Sequence, residues 1–249
     1  MTARVHHPGW SSAGLTDPGR VRTVNQDALL DRPDLGLWAV ADGMGGHSDG
    51  AYASRLLVEH LGRLEQPSLL GGASKRVIAV LRDVNRRLIE EAIARDSDIM
   101  GTTVVVLAAV GDHCVALWAG DSRIYRLREA ELVQLTSDHT QVQEMVDQGL
   151  LTREQADAHP MSNVLSRAVG GDPDLAVDTR VERLRAGDRF LLCSDGLTKE
   201  LSARAIADLL GHADPETAAR ELVRSACAAG GRDNVTALVV DISGDGRAV

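Results

Sequence analysis

Five aspartates carry the chemistry that the 249-residue chain offers first: Asp27 in R-T-V-N-Q-D-A, Asp42 in V-A-D-G-M-G-G, Asp121 in A-G-D-S-R, Asp195 in C-S-D-G-L and Asp233 in G-G-R-D-N. Side by side such carboxylates repel, and a bound cation is the usual remedy. Asp-Gly and Asp-Asn are also ordinary turn chemistry, so any one of the five alone reads as a turn. Their number weighs the other way. So do the apolar runs LGLWAVA, CVALWAG and RFLLCS ahead of Asp42, Asp121 and Asp195, because a strand ending there in a tight turn would present its carboxylate to solvent or a ligand.

The elements that must position them follow from periodicity. Residues 35–41 read as a strand and 50–64 as a helix, with Leu57, Leu61 and Leu64 on one face. A long amphipathic helix covers 73–95, where Val77, Leu81, Val84 and Leu88 form a core-facing stripe. Residues 102–110 and 113–119 are β-rich runs joined by Gly111-Asp112, a hairpin signal, and 123–127 continues the meander. Ser137 to Gly149 reads as a short helix with Gly149 as its cap, and Thr152 to Gln155 as a capping box before His159-Pro160. This polar connection, about 137–172, is long enough to be a flap. Arg189 to Cys193 is a strand, Ser202 to Leu210 a helix, Asp214-Pro215 a helix start, and Val235 to Ile242 a closing strand. With no internal repeat and no linker, residues 1–249 are expected to form a single domain.

Net charge is -9, from 27 basic and 36 acidic residues, which argues against non-specific binding to nucleic acid or anionic membrane. Aromatics at 2% leave no base-stacking platform. Three separated cysteines without zinc spacing read as reduced buried thiols of a cytoplasmic protein. No signal peptide or transmembrane stretch is expected. His6 and His7 fall in a loose N-terminal arm with no metal pattern around them.

In chain order, R-x-x-N-Q-D (Arg22 to Asp27), A-D-G-M-G-G-H (Ala41 to His47), M-G-T-T (Met100 to Thr103), G-D-S-R (Gly120 to Arg123), S-D-G-L-T (Ser194 to Thr198) and G-x-D-N (Gly231 to Asn234) resemble the metal-dependent protein serine/threonine phosphatases, the type 2C or PPM family. Each motif is weak alone; six in order over residues 10–242 are specific. The resemblance implies an α+β fold: an α/β/β/α four-layer sandwich of two antiparallel sheets flanked by helices, with a flap and a metal cluster at one edge. It implies that Asp42 bridges two Mn2+ or Mg2+ ions, that Asp195 and Asp233 hold one of them, and that the Gly43 carbonyl reaches the other. Asp27 would act mainly through metal-bound water, and Asp121 with Asp195 would hold a third, weaker ion. Arg22 would take the substrate phosphate.

Those residue types suit the chemistry. Hard divalent cations prefer carboxylate and water oxygens, and two of them roughly 3.5–4 Å apart can lower the pKa of a shared water to give a hydroxide for in-line attack. No Cys or Ser nucleophile is then needed. A guanidinium fork matches two phosphate oxygens, although a basic residue at a strand edge often only pairs with a carboxylate. Three positions depart from the family. Gln26 stands where many members have Glu, Met44 where eukaryotic members carry a His proposed as general acid, and Lys199 where an Asp is common. His47 reads as a turn residue. Asn163 and Arg167 of the flap either contact substrate or brace helices.

The compact chain and the segment SDHT to SRAVG (Ser137 to Gly170) look like bacterial stand-alone members that oppose Hanks-type Ser/Thr kinases, some beside type VI secretion or cell-wall regulators. Phosphorylated proteins, a kinase and its substrates are the implied partners, and a monomer the expected state. A reading of another class is a catalytically weak scaffold that binds phosphoproteins. It would show lost metal carboxylates, whereas Asp42, Asp195 and Asp233 are all present.

Overall fold

The computed structural model describes residues 9–243 apart from 47, 48, 66, 68, 98, 158, 212 and 213, so His6, His7 and His47 lie outside the described residues. Chain order runs β1 (Gly9–Asp17), β2 (Asp27–Arg32), a 3-10 turn (Pro33–Leu35), β3 (Leu37–Gly45), α1 (Asp49–Gly62), α2 (Leu70–Ala94), β4 (Met100–Thr102), β5 (Val104–Val110), β6 (His113–Ala119), β7 (Arg123–Arg128) and β8 (Glu131–Gln134). It continues with α3 (Gln141–Asp147), α4 (Arg153–Asp157), β9 (Asp178–Arg183), β10 (Arg189–Cys193), α5 (Asp195–Thr198), α6 (Ala203–Leu210), α7 (Pro215–Ala229) and β11 (Val235–Ser243).

Strand alternation builds the layers. In β3, Trp38 and Val40 point one way, into a core shared with Val105 and Leu107 of β5, Phe190 and Leu192 of β10, and Leu238 and Val240 of β11. Leu37, Ala39 and Ala41 point the other way, onto Leu57 and Leu61 of α1 and Val77, Leu81, Val84 and Leu88 of α2. On the far side Tyr125, Leu191, Cys193, Val235, Ala237 and Val239 receive Leu222, Val223 and Ala226 of α7 and Ile206 and Leu210 of α6. The result is helix, sheet, sheet, helix, as expected. One sheet runs β1-β11-β10-β7-β8 and the other β2-β3-β5-β6-β9, with β4 on β3. β1 and β11 pair along their whole lengths, from Gly9 opposite Ser243 to Asp17 opposite Val235.

Several boundaries differ from the sequence reading, each for a local reason. The run 102–110 is split at Thr103, whose amide donates to the Asp42 carbonyl at 2.8 Å instead of continuing one ladder. The helix expected from Ser137 begins only at Gln141, after the Thr140 cap, because the His139 amide bonds the Gly120 carbonyl. Gly149 does end that segment in a left-handed turn, φ 73°. Thr152 and Gln155 form the reciprocal capping box: the Thr152 amide donates to Oε1 at 2.8 Å and the Gln155 amide to Oγ1 at 3.3 Å. β1, β2, β8, β9 and the short α5 were not anticipated.

Candidate metal centre

Antiparallel pairing gathers the aspartates. Asp27 opens β2 directly opposite Asp42 in β3, so both side chains leave the same face. Cys193 lies opposite Ala237 in the β10–β11 pair, which sets Asp195, just past β10, beside Asp233, just before β11. Asp121 follows β6 and Thr103 precedes β5, whose first residue Val104 pairs with Ala119. Of the five, Asp121 and Asp195 follow a strand. Asp42 lies within β3, Asp27 opens β2 and Asp233 precedes β11, because in an antiparallel sheet the start of one strand is the neighbour of another's end.

Hydrogen bonds fix the carboxylates from behind. Asp27 Oδ2 accepts from Ser194 Oγ at 2.8 Å, just past β10, and from Thr236 Oγ1 at 2.6 Å, in β11 of the opposite sheet. The Asp42 amide donates to Thr103 Oγ1 at 3.2 Å, and Thr102 Oγ1 donates to the Asp42 carbonyl at 2.9 Å. Gly43 admits no side chain: a Cβ there would lie 2.0 Å from the Gly50 carbonyl oxygen and 2.7 Å from that of Gln26. Asn234 clamps the loop that carries Arg22. Its amide donates to the Pro18 and Val24 carbonyls at 3.0 Å each, and its oxygen accepts from the Gln26 amide at 2.9 Å.

The electrostatics are those of a crowded acidic site. Burial pushes the Asp27 carboxyl up to about 6, against the pull of its two hydroxyl donors. Burial, then repulsion from Asp195 and Asp138, pushes Asp121 up to about 7. Asp42 is held well above the ordinary carboxylate range by burial and by Asp27, Asp195, Asp121 and Asp233. Two cationic side chains offset the charge. Arg22 grips Asp233 with Nε at 2.9 Å from Oδ1 and a terminal nitrogen at 3.1 Å from Oδ2, and Lys199 pairs with Asp195. With those pairs formed, no three His, Cys, Asp or Glu side chains among the described residues close around a single point. The donor set nevertheless fits divalent cations: Asp27 Oδ1 and Asp195 Oδ1 are buried oxygens with no hydrogen-bond donor. No cysteine competes for a nucleophilic role, since burial pushes the Cys114 and Cys193 thiols up to about 12 and raises Cys227.

A cleft of about 800 Å³ opens over these groups. Arg22, Asp42, Gly43, Asp121, Asp195 and Asp233 line it, whereas Asp27 lies behind them. Met44 and Lys199 are also on the wall, and residues 163–168 of the flap form the opposite rim. Arg167 is a brace as well as a wall: it donates to Asp178 Oδ1 at 2.8 Å beside His139, whose Nδ1 accepts from the Gly120 amide at 3.1 Å. Sequence reasoning named no role for Ser194, Thr236, Thr103, Asn234 or His139. All but Thr236 sit within the quoted motifs or the SDHT segment, so the signal was adjacency.

A family model described as Protein phosphatase 2C matches residues 19–225, which span all the candidate residues except Asp233. The serine/threonine protein phosphatase PstP of Mycobacterium tuberculosis is 36% identical over 92% of this chain, which spans 44% of that protein, less than half its length. Among solved structures, PppA, a key regulatory component of T6SS in Pseudomonas aeruginosa, has a TM-score of 0.88 at 43% identity, covering 94% of this chain and 97% of its own. The catalytic domain of PstP in complex with two manganese ions has a TM-score of 0.82 at 34% identity, covering 94% and 98%. Motif order, sandwich and carboxylate edge thus coincide with one family along most of the sequence, and the chain belongs to the protein phosphatase 2C family.

Proposed function

We propose that the protein is a metal-dependent phosphatase that hydrolyses phosphoserine and phosphothreonine on proteins. One observation carries the reading: buried carboxylate oxygens without donors stand at and just behind the wall of the cleft that holds the two-pronged Arg22 guanidinium. Bound Mn2+ or Mg2+ would supply charge for the transferring phosphoryl and a water activated at neutral pH. Asp42, Asp195, Asp233 and the Gly43 carbonyl would hold the ions, Asp27 would act through water, and Asp121 with Asp195 would take a third. Arg22 exchanges the Asp233 carboxylate for two phosphate oxygens, orienting phosphorus in line. Met44 has no proton to give, so the leaving alkoxide takes one from water in the cleft.

The manganese in the PstP catalytic domain supports Mn2+ as the first ion to test. Likeness to PppA, a regulatory component of T6SS, makes a phosphoprotein of secretion control the first target to try, and a Ser/Thr kinase that phosphorylates it is the partner this reading implies. A cytoplasmic, monomeric enzyme working as one unit completes the reading. No helix among the described residues is long and apolar enough to cross a membrane. The test is phosphate release from p-nitrophenyl phosphate and a phosphothreonine peptide. Turnover should require Mn2+ and stop with EDTA. Absence of turnover at saturating Mn2+ would leave the phosphoprotein-binding scaffold as the better reading.

A further inference from the structure

A second groove, about 840 Å³, meets the catalytic cleft at Arg22, Gln26 and Gly45. It runs between the loop after β1 and the exposed side of α1, and its floor is Tyr52, Leu56 and Val24, the last 47% exposed. Arg55 and Arg95 line it, with Glu59 the single acidic side chain in its wall among the described residues. Arg55 is exposed and has no ion pair or hydrogen bond to any described residue. The Arg95 guanidinium lies 4.7 Å over the Tyr52 ring, held by Glu91 at 2.9 Å and Asp49 at 3.7 Å. The opposite rim of the cleft has the other sign. Asp172 and Asp174 line it, both exposed and neither paired with a cation among the described residues, and the nearby Arg167 is engaged by Asp178.

We propose that this groove is the docking site for an acidic segment on one side of the phosphorylated residue, read by the unpaired Arg55, while the flap rim disfavours acid on the other side. The inference rests on the phosphatase reading and deepens it by naming a substrate class. A phosphate on Arg22 sits where cleft and groove join, and an extended chain advancing about 3.3 Å per residue brings the next few side chains into the groove. Sequence polarity relative to the phosphoresidue, more than total charge, then decides the rate, because on a molecule of net charge -9 the long-range field repels every acidic peptide alike.

The experiment uses two phosphothreonine peptides of identical composition, one with Asp residues before and Lys residues after the phosphothreonine, the other reversed. Their equal net charge cancels the long-range field. For the wild-type protein with Mn2+, kcat/KM should differ by about threefold to tenfold, what one or two exposed charge pairs supply, and the gap should shrink in roughly 0.5 M salt. Arg55→Glu should abolish or invert the preference and Arg55→Gln should weaken it, both with p-nitrophenyl phosphate turnover unchanged. Equal rates for the two peptides, or a preference that survives Arg55→Glu, would overturn the proposal. If neither peptides nor p-nitrophenyl phosphate were turned over, the phosphatase reading itself would fail. Fluorescence anisotropy of the same labelled peptides would then still decide the groove, equal affinities counting against it.

Discussion

Lys199 takes the place where the family resemblance leads one to expect a carboxylate, and it pairs with Asp195 at the edge nearest Asp121. A fixed ammonium there does part of the work of a metal ion. Lys199→Ala should therefore tighten Mn2+ binding, by roughly tenfold for the weakest ion in calorimetry, while lowering the melting temperature in EDTA. Asp42→Asn should act in the opposite sense: loss of nearly all Mn2+-dependent turnover, yet a melting temperature in EDTA raised by roughly 2–6 °C, as one repelling carboxylate is removed. That these side chains share one cleft was legible because residue type and order carry it. The donors behind Asp27 were not. Thr236 is 209 positions away from it, and nothing in the local pattern of V-T-A-L marks a hydroxyl aimed across to another sheet.

At the scale of elements, long amphipathic helices and apolar strands were readable and the edge strands were not. β9 is D-T-R-V-E-R on a largely exposed edge, and β2 offers only two leucines between charges, so neither carries a burial period. Their pairing partners, β6 and β3, impose the strand. Ion pairs hold such ends. Asp188, with its side chain 0% exposed, accepts two hydrogen bonds from Arg128 at 2.6 and 2.7 Å where β7 meets the start of β10. Arg128→Ala should cost about 3–5 kcal/mol in urea unfolding, because it strands a buried charge. Asp214→Ala, which removes the exposed cap that the Thr217 amide donates to at 3.0 Å and the Thr217 hydroxyl at 2.8 Å, should cost about 1 kcal/mol.

For the whole molecule, the acidic edge sets a pH dependence. Asp27 and Asp121 have folded values of about 6 and about 7 against 3.8 unfolded, so the folded protein keeps protons that the unfolded chain releases. Stability from this source is full below pH 3.8 and is lost as pH rises through about 6 and about 7. His139, held below its ordinary 6.5 by burial, opposes the trend just under that value. Melts in EDTA from about pH 5 to about pH 8 should therefore fall with pH for the wild type and flatten for Asp42→Asn, and saturating Mn2+ should flatten the wild type too. A wild-type profile that rose with pH would show that the carboxylates are not crowded. The order of layers was legible from alternating apolar runs, but the seam was not: which strand ends share an edge is decided by antiparallel register, and register is a property of pairs.

The closing strand has a consequence in time. β11 lies between β1 and β10, and its Thr236 secures Asp27, so the first and last described strands complete one and the same edge. A growing chain on the ribosome holds Arg22, Asp27 and Asp42 long before it holds Asp233 or Thr236. The carboxylate edge stays incomplete until that strand emerges, and a shorter fragment released early lacks both Asp233 and the hydroxyl that secures Asp27.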